Sequence, residues 1–209
     1  MKIKLLKTIA IGNGTQNHFE YDTQNRLTKI KHCRDGDVIA TIVFTYIDDK
    51  LVRVVSNDKY TTNFVHSGNI ITATDARGGV STYILDTNGN LAKWKWTDYS
   101  EEDVMDFVYD SAGNAIKSTL FSQGSKVTDI RQYDNKIAPF RYCKAPKWYL
   151  AYNYRTISGF QNNHISSVGD NGISAVFTYE YDGDGFPTKR TSKNNYGGVQ
   201  IETFTYITR

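Results

Sequence analysis

The chain has 209 residues, 39% of them hydrophobic, enough to bury a substantial core as a single domain spanning residues 1–209. Its net charge of +3 is too small to point to nucleic acid or another polyanion as a partner, and no run approaches the roughly eighteen apolar residues of a membrane helix. Fifteen tyrosines against three prolines, with Thr, Val and Ile throughout, is the composition of strands.

Residues 1–11 open with a basic, apolar stretch that Lys4 and Lys7 interrupt, so it reads as a strand of the mature domain and not as a signal peptide. Gly12-Asn13-Gly14 ends it. Residues 19–31 then introduce a unit that recurs at 83–96, 107–120 and 179–189, and in degenerate form at 44–55: an aromatic strand end, an Asp-led turn, and a new strand. Asp22, Asp86, Asp110 and Asp182 stand three residues before Asn25, Gly89, Gly113 and Gly185. That spacing predicts a type I turn followed by a left-handed residue that forms a bulge. Asp182-Gly183-Asp184-Gly185 also resembles the start of a calcium loop, but no Glu follows until Glu202, and the turn reading is preferred. No metal and no cofactor is expected.

Turn signals at a nearly even beat predict about sixteen short strands in an antiparallel meander. The Asp-led turns, at Asp22, Asp48, near Ser67, and at Asp86, Asp110, Asp134 and Asp182, are two strands apart and should share one rim. The interval from Asp134 to Asp182 is double, so an insertion takes the place of one hairpin or projects from between two. Trp94 and Trp96 fall on one face of a strand and Lys93 and Lys95 on the other, a core face against a solvent face. Glu101, Glu102, Asp103 and Asp106 read as solvated charge around a hairpin turn. His18, His32, His66 and His164 have no metal-ligand spacing, Cys33 and Cys143 form no ligand cluster, and no nucleophile elbow or phosphate loop is present.

The insertion, residues 135–161, carries Lys136, Arg141, Lys144, Lys147 and Arg155 with no Asp or Glu, which is +5 against −2 for the rest of the chain. It also holds Phe140, Tyr142, Trp148, Tyr149, Tyr152, Tyr154 and Phe160. Pro146 can open a short helix over 147–155 in which Trp148, Tyr152 and Arg155 share a face. Two readings stand: an aromatic plug packed over the sheet, or a ligand platform in which Trp148, Tyr149, Tyr152 and Arg155 line a binding site.

The repeated Tyr-Asp-x-x-Gly units resemble, loosely, the YD repeats of RHS-type shell proteins. A closer similarity is to a family of exported Bacteroidetes lipoproteins, a domain of unknown function with a porin-like fold. Tyr133-Asp134-Asn135-Lys136, Pro139-Phe140, Asn162-Asn163 and Tyr179 through Thr188 carry that resemblance. It implies export to the periplasm or outer-membrane surface, a rolled β-sheet, and membrane association only through a lipid anchor that this chain does not contain. It implies no activity.

Charge on both faces of several strands argues against a lipid-facing barrel. Arg190 lies opposite Lys189 and Lys193, and Asp129 and Arg131 lie opposite Lys126, whereas a Lys or Arg at mid-bilayer costs roughly 2–4 kcal/mol. The expectation is therefore an all-β, antiparallel meander rolled into a soluble barrel or half-barrel, with strand 38–47, apolar on both faces, buried at its thickest part. The first functional expectation is a non-enzymatic cell-envelope binding module for a glycan or another amphipathic small molecule. The alternative is a structural or adhesive surface domain without a small-molecule ligand. An enzyme would require two carboxylates facing one another in a cleft.

Overall fold

A computed structural model describes residues 3–98, 101–153 and 160–209. Sixteen strands form one sheet: β1 (Lys4–Ile11), β2 (Thr15–Tyr21), β3 (Leu27–Arg34), β4 (Asp37–Ile47), β5 (Lys50–Ser56), β6 (Tyr60–Ser67), β7 (Ile70–Asp75), β8 (Val80–Leu85), β9 (Leu91–Asp98), β10 (Glu101–Tyr109), β11 (Ala115–Ser122), β12 (Ser125–Tyr133), β13 (His164–Gly169), β14 (Ser174–Tyr181), β15 (Pro187–Asn194) and β16 (Val199–Thr208). Each strand pairs antiparallel with its neighbours in sequence. The meander closes where β1 pairs with β16, from Lys4 opposite Thr208 to Ile11 opposite Glu202. A closed barrel leaves no unpaired edge to template aggregation.

The turn chemistry is that read from the spacing. The main-chain carbonyls of Asp22, Asp86, Asp110 and Asp182 accept the N–H groups of Asn25, Gly89, Gly113 and Gly185 at 3.0–3.1 Å, and those four residues have φ of 66°, 77°, 89° and 84°. The Asp side chain adds a second closure, its Oδ1 accepting the N–H four residues on, at Arg26, Asn90, Asn114 and Phe186. Burial alone would raise these carboxyls, but the hydrogen bonds they accept outweigh it and hold them below the usual range.

Strand ends at this rim are joined by side chains. Between β3 and β4 the ladder stops at Lys29 opposite Val43, and beyond it the Tyr46 hydroxyl donates to the Leu27 carbonyl at 2.8 Å. The same bond recurs from Tyr21 to Leu6, Tyr109 to Leu91, Tyr133 to Ala115, Tyr179 to His164 and Tyr206 to Pro187, at 2.7–3.0 Å. His66 makes it with the Leu51 carbonyl. Between β7 and β8 the ladder instead runs to Ile70 opposite Ile84, and Leu85 stands at the corresponding strand end. Each tyrosine satisfies a carbonyl that the splayed strands leave behind. Burial pushes the phenols up, those of Tyr133 and Tyr179 to about 12.

The described part of the insertion, residues 135–153 and 160–161, leaves the barrel between β12 and β13 and packs against the inward face of the wall. Pro146 precedes α1 (Lys147–Asn153). Phe140, Cys143, Ala145, Trp148, Tyr149 and Leu150 join one apolar cluster with inward residues of the wall, among them Phe19, Phe44, Phe64, Tyr83, Trp94 and Met105. The outer wall is different. Lys31 pairs with Glu20, Lys93 with Asp106, Lys95 with Glu102 and Lys189 with Glu180, all on the outward face within strands, beside exposed apolar residues such as Val65, Ile130 and Val176. Among the described residues no helix is long and apolar enough to cross a membrane.

Two expectations are corrected. Strand β4 is not buried on both faces: Val38, Ile39 and Ile47 are 55%, 56% and 60% exposed, because in a single-layer wall only the inward face has anything to pack against. Glu102 and Asp103 lie within β10 and not in its turn; the side chain of Glu101 lies outside the described residues.

Candidate functional site

The plug enters from the Asp-turn rim and crosses toward β2–β8. Trp148 stacks edge-on against Tyr83 (4.8 Å between ring centroids) and Phe64 (5.4 Å). Tyr149 packs against Phe44 (5.8 Å) and Phe64 (5.7 Å), and Phe140 against Phe19 (5.2 Å). Trp148 and Tyr149, two of the four residues expected to line a platform, are thus covered by the wall, with exposures of 6% and 9%. The side chain of Tyr152 and the whole of Arg155 lie outside the described residues.

The plug leaves part of the lumen open. A cavity of 570 Å³ lies inside the wall formed by β1–β3 and β12–β16, toward the rim opposite the Asp turns, with the exposed Gln200 at its margin. Its walls mix apolar residues, Ile9, Ile11 and Phe177, with charged residues at inward positions of these strands. Arg131 Nε pairs with Asp129 Oδ2 at 2.6 Å, and its Nη2 donates to Ser118 Oγ at 3.0 Å. Arg190 Nη2 pairs with Glu202 Oε2 at 2.5 Å, and Glu202 Oε1 accepts from Gln200 Nε2 at 2.9 Å. The Arg190 guanidinium also lies over the Phe177 ring, 5.4 Å from its centroid.

Two histidines complete the wall. His164, 5% exposed, sets its ring 4.5 Å from that of Phe177, and its Nε2 donates to the Ser166 carbonyl at 2.7 Å. Burial, then the neighbouring Arg131 and Arg190, push it down to about 4, so it is neutral near pH 7. His32 Nδ1 lies 2.6 Å from Asn17 Oδ1, and burial lowers it too. The cavity therefore presents two guanidinium groups, two carboxylates, two imidazoles and the Phe177 ring, which Arg190 and His164 flank, and its formal charges cancel. Such a wall offers many oriented donors and acceptors without favouring either sign of ligand charge. Among the described residues, no group of acidic, His and Cys side chains could hold a metal.

No protein-family model and no curated protein matches this chain. Two solved structures similar to it are described as porin-like proteins. One, from Bacteroides uniformis ATCC 8492, is 15% identical, with 97% of this chain and 96% of that chain covered and a TM-score of 0.45. The other, from Bacteroides vulgatus ATCC 8482, is 9% identical over 98% of this chain and 99% of that chain, with a TM-score of 0.44.

Arg131, Arg190, Asp129, Glu202 and His164 were not selected by sequence reasoning as a site. Their alternation was legible, since Arg190 opposes Lys189 and Lys193 in sequence. Nothing in one strand says that β12, β15 and β16 converge across a lumen.

Proposed function

We propose that this barrel is a non-enzymatic binding module of the cell envelope that holds a neutral, hydroxyl-rich ligand, a short glycan, in the 570 Å³ lumen cavity. The observation that carries this reading is the charge balance of the buried wall. An acidic ligand would confront Asp129 and Glu202, and a basic one Arg131 and Arg190, whereas hydroxyl groups can both donate to the carboxylates and accept from the guanidinium groups. The two carboxylates do not favour an enzyme, because each is paired with a guanidinium, which stabilises its anion and opposes use as a proton donor.

The test is isothermal titration with neutral, acidic and amino-substituted oligosaccharides, on the wild type and on Ser192→Trp, which fills the cavity. Saturable binding of a neutral sugar that Ser192→Trp abolishes while keeping its thermal midpoint supports the proposal. Selective binding of the acidic sugars, or binding that Ser192→Trp leaves unchanged, refutes it. The burial of Trp148 and Tyr149 favours a second reading, a structural or adhesive domain, which stands if none of the sugars binds.

A further inference from the structure

A second recess lies at the Asp-turn rim, against α1, and Arg131 lines both its inner part and the lumen cavity. Its outer part, 530 Å³, is bounded by the turns after β8 and β10, with Asn88, Asn90, Ser111, Gln161 and Lys147 around it. Its inner part is a narrow extension of 40 Å³ between α1 and β9–β12, where Leu91, Phe107, Ala115, Ala151 and Phe160 give an apolar surface and Asn114, Arg131 and Tyr133 a polar one. Asn90, Phe107, Tyr109, Gly113 and Lys147 line both parts, so the two share a wall.

Two cations line this recess: Arg131, already tied to Asp129 and Ser118, and Lys147, which borders both parts. Lys147 is half-buried, and among the described residues its ammonium has neither a hydrogen bond nor an ion pair. Burial, then Arg141, push it below the usual lysine range. Asp86 and Asp110 also border the outer part but do not reach Lys147. Each closes its own turn through backbone N–H groups and the amide of Asn90 or Asn114. A desolvated cation without a counterion stabilises a bound anion. The two Asp charges nearby oppose any anion and a doubly charged one most strongly, so a monoanion is the most that Lys147 can hold. The volume of the extension, room for about three water-sized groups, limits the apolar part to a few carbons.

We propose that this recess binds a short-chain monocarboxylate, with its carboxylate on Lys147 Nζ and its alkyl group in the extension beside Phe107 and Phe160. Neutral amides of Asn90 and Gln161 flank the carboxylate.

The experiment is a titration of the ¹⁵N-labelled protein with butyrate, followed through the backbone amides of Asn90, Gly113 and Gln161, with butyramide and butylamine as controls. Butyrate shifts these amides saturably, and both controls bind at least tenfold more weakly. Lys147→Met, which keeps the stem and the helix, weakens butyrate at least tenfold. Ala151→Leu fills the extension and weakens butyrate while leaving acetate within twofold. Equal binding of butyramide, tighter binding of butylamine, undiminished binding by a folded Lys147→Met protein, or the absence of saturable shifts would overturn the proposal.

Discussion

Asp134 Oδ1 accepts the backbone N–H of Asn163 at 2.9 Å, and the Asp134 N–H donates to the Asn163 carbonyl at 2.9 Å, although the two are 29 positions apart. Asp22 makes the same two bonds with Arg26, and Asp110 makes them with Asn114, only four positions away. The insertion is thus spliced into an intact hairpin turn: its ends are closed by the chemistry that closes the other turns, and the segment between is available to fill the lumen. Asn162 continues the latch by exchanging side-chain and backbone hydrogen bonds with Asn114 on the neighbouring turn.

Breaking the latch should loosen the plug before the wall. Asn163 is 1% exposed and its amide donates to Asp134 and to the Ile137 carbonyl. Asn163→Ala strands those acceptors and is expected to cost about 1–3 kcal/mol in denaturant unfolding. Hydrogen exchange should speed up first in residues 136–150, with the ladder amides of β4 and β5 unaffected. Uniform loss of protection would show that plug and wall unfold as one unit.

The tyrosine bonds at the rim predict a contrast between two single substitutions. Tyr46→Phe removes one buried hydroxyl and leaves the Leu27 carbonyl unpaired, a loss of about 1 kcal/mol, which for a chain of this size lowers the thermal midpoint by roughly 2–4 °C. Leu85→Tyr places the same group where the β7–β8 ladder already reaches the rim, and should not raise the midpoint. A gain at Leu85 would show that the hydroxyl stabilises through something other than the orphaned carbonyl.

His164 sets an acid limit on stability. Its folded value of about 4 lies below the ordinary 6.5, so between these values the unfolded chain binds the extra proton. The contribution is fully present above about pH 6.5 and is lost progressively as pH falls toward 4, on the order of 3 kcal/mol in all. Arg131 and Arg190 repel the imidazolium, and Asp129 and Glu202 face the same cavity as its counter-charges. Denaturant midpoints measured from pH 7.5 to 4 should fall for the wild type and flatten for His164→Gln; parallel curves would assign the acid sensitivity elsewhere.

The Arg190–Glu202 pair should show strong coupling. With exposures of 8% and 7%, each is a buried charge whose partner offsets its desolvation. Arg190→Leu alone should cost roughly 3–5 kcal/mol, and Arg190→Leu with Glu202→Leu distinctly less than the sum of the single changes. Additive losses in a double-mutant cycle would mean that the pair is held by its neighbours and not by mutual attraction.

Much of the architecture is legible in the chain. Hairpin register is a local matter: Asp22 with Asn25, or Asp110 with Gly113, closes its turn within five residues, and sixteen such strands can be counted from composition and spacing alone. The inward face of β9 follows from Trp94 and Trp96 alternating with lysines that now pair with Asp106 and Glu102 outside. The reading of β4 failed because apolar alternation reports what could be buried, and whether a second layer exists to bury Val38 and Ile39 is a tertiary fact.

The sequence by itself determined the all-antiparallel meander, the turns on one rim, and an aromatic, cationic insertion after Asp134, because each depends on interactions between residues close in the chain. Closure of β1 on β16, burial of Trp148 and Tyr149 inside the lumen, and the convergence of Arg131, Arg190, Glu202 and His164 on one cavity were decided only by the tertiary structure. Those relationships join strands at opposite ends of the chain. They depend on the curvature of the whole wall and on how far the plug fills it, quantities that no single strand encodes.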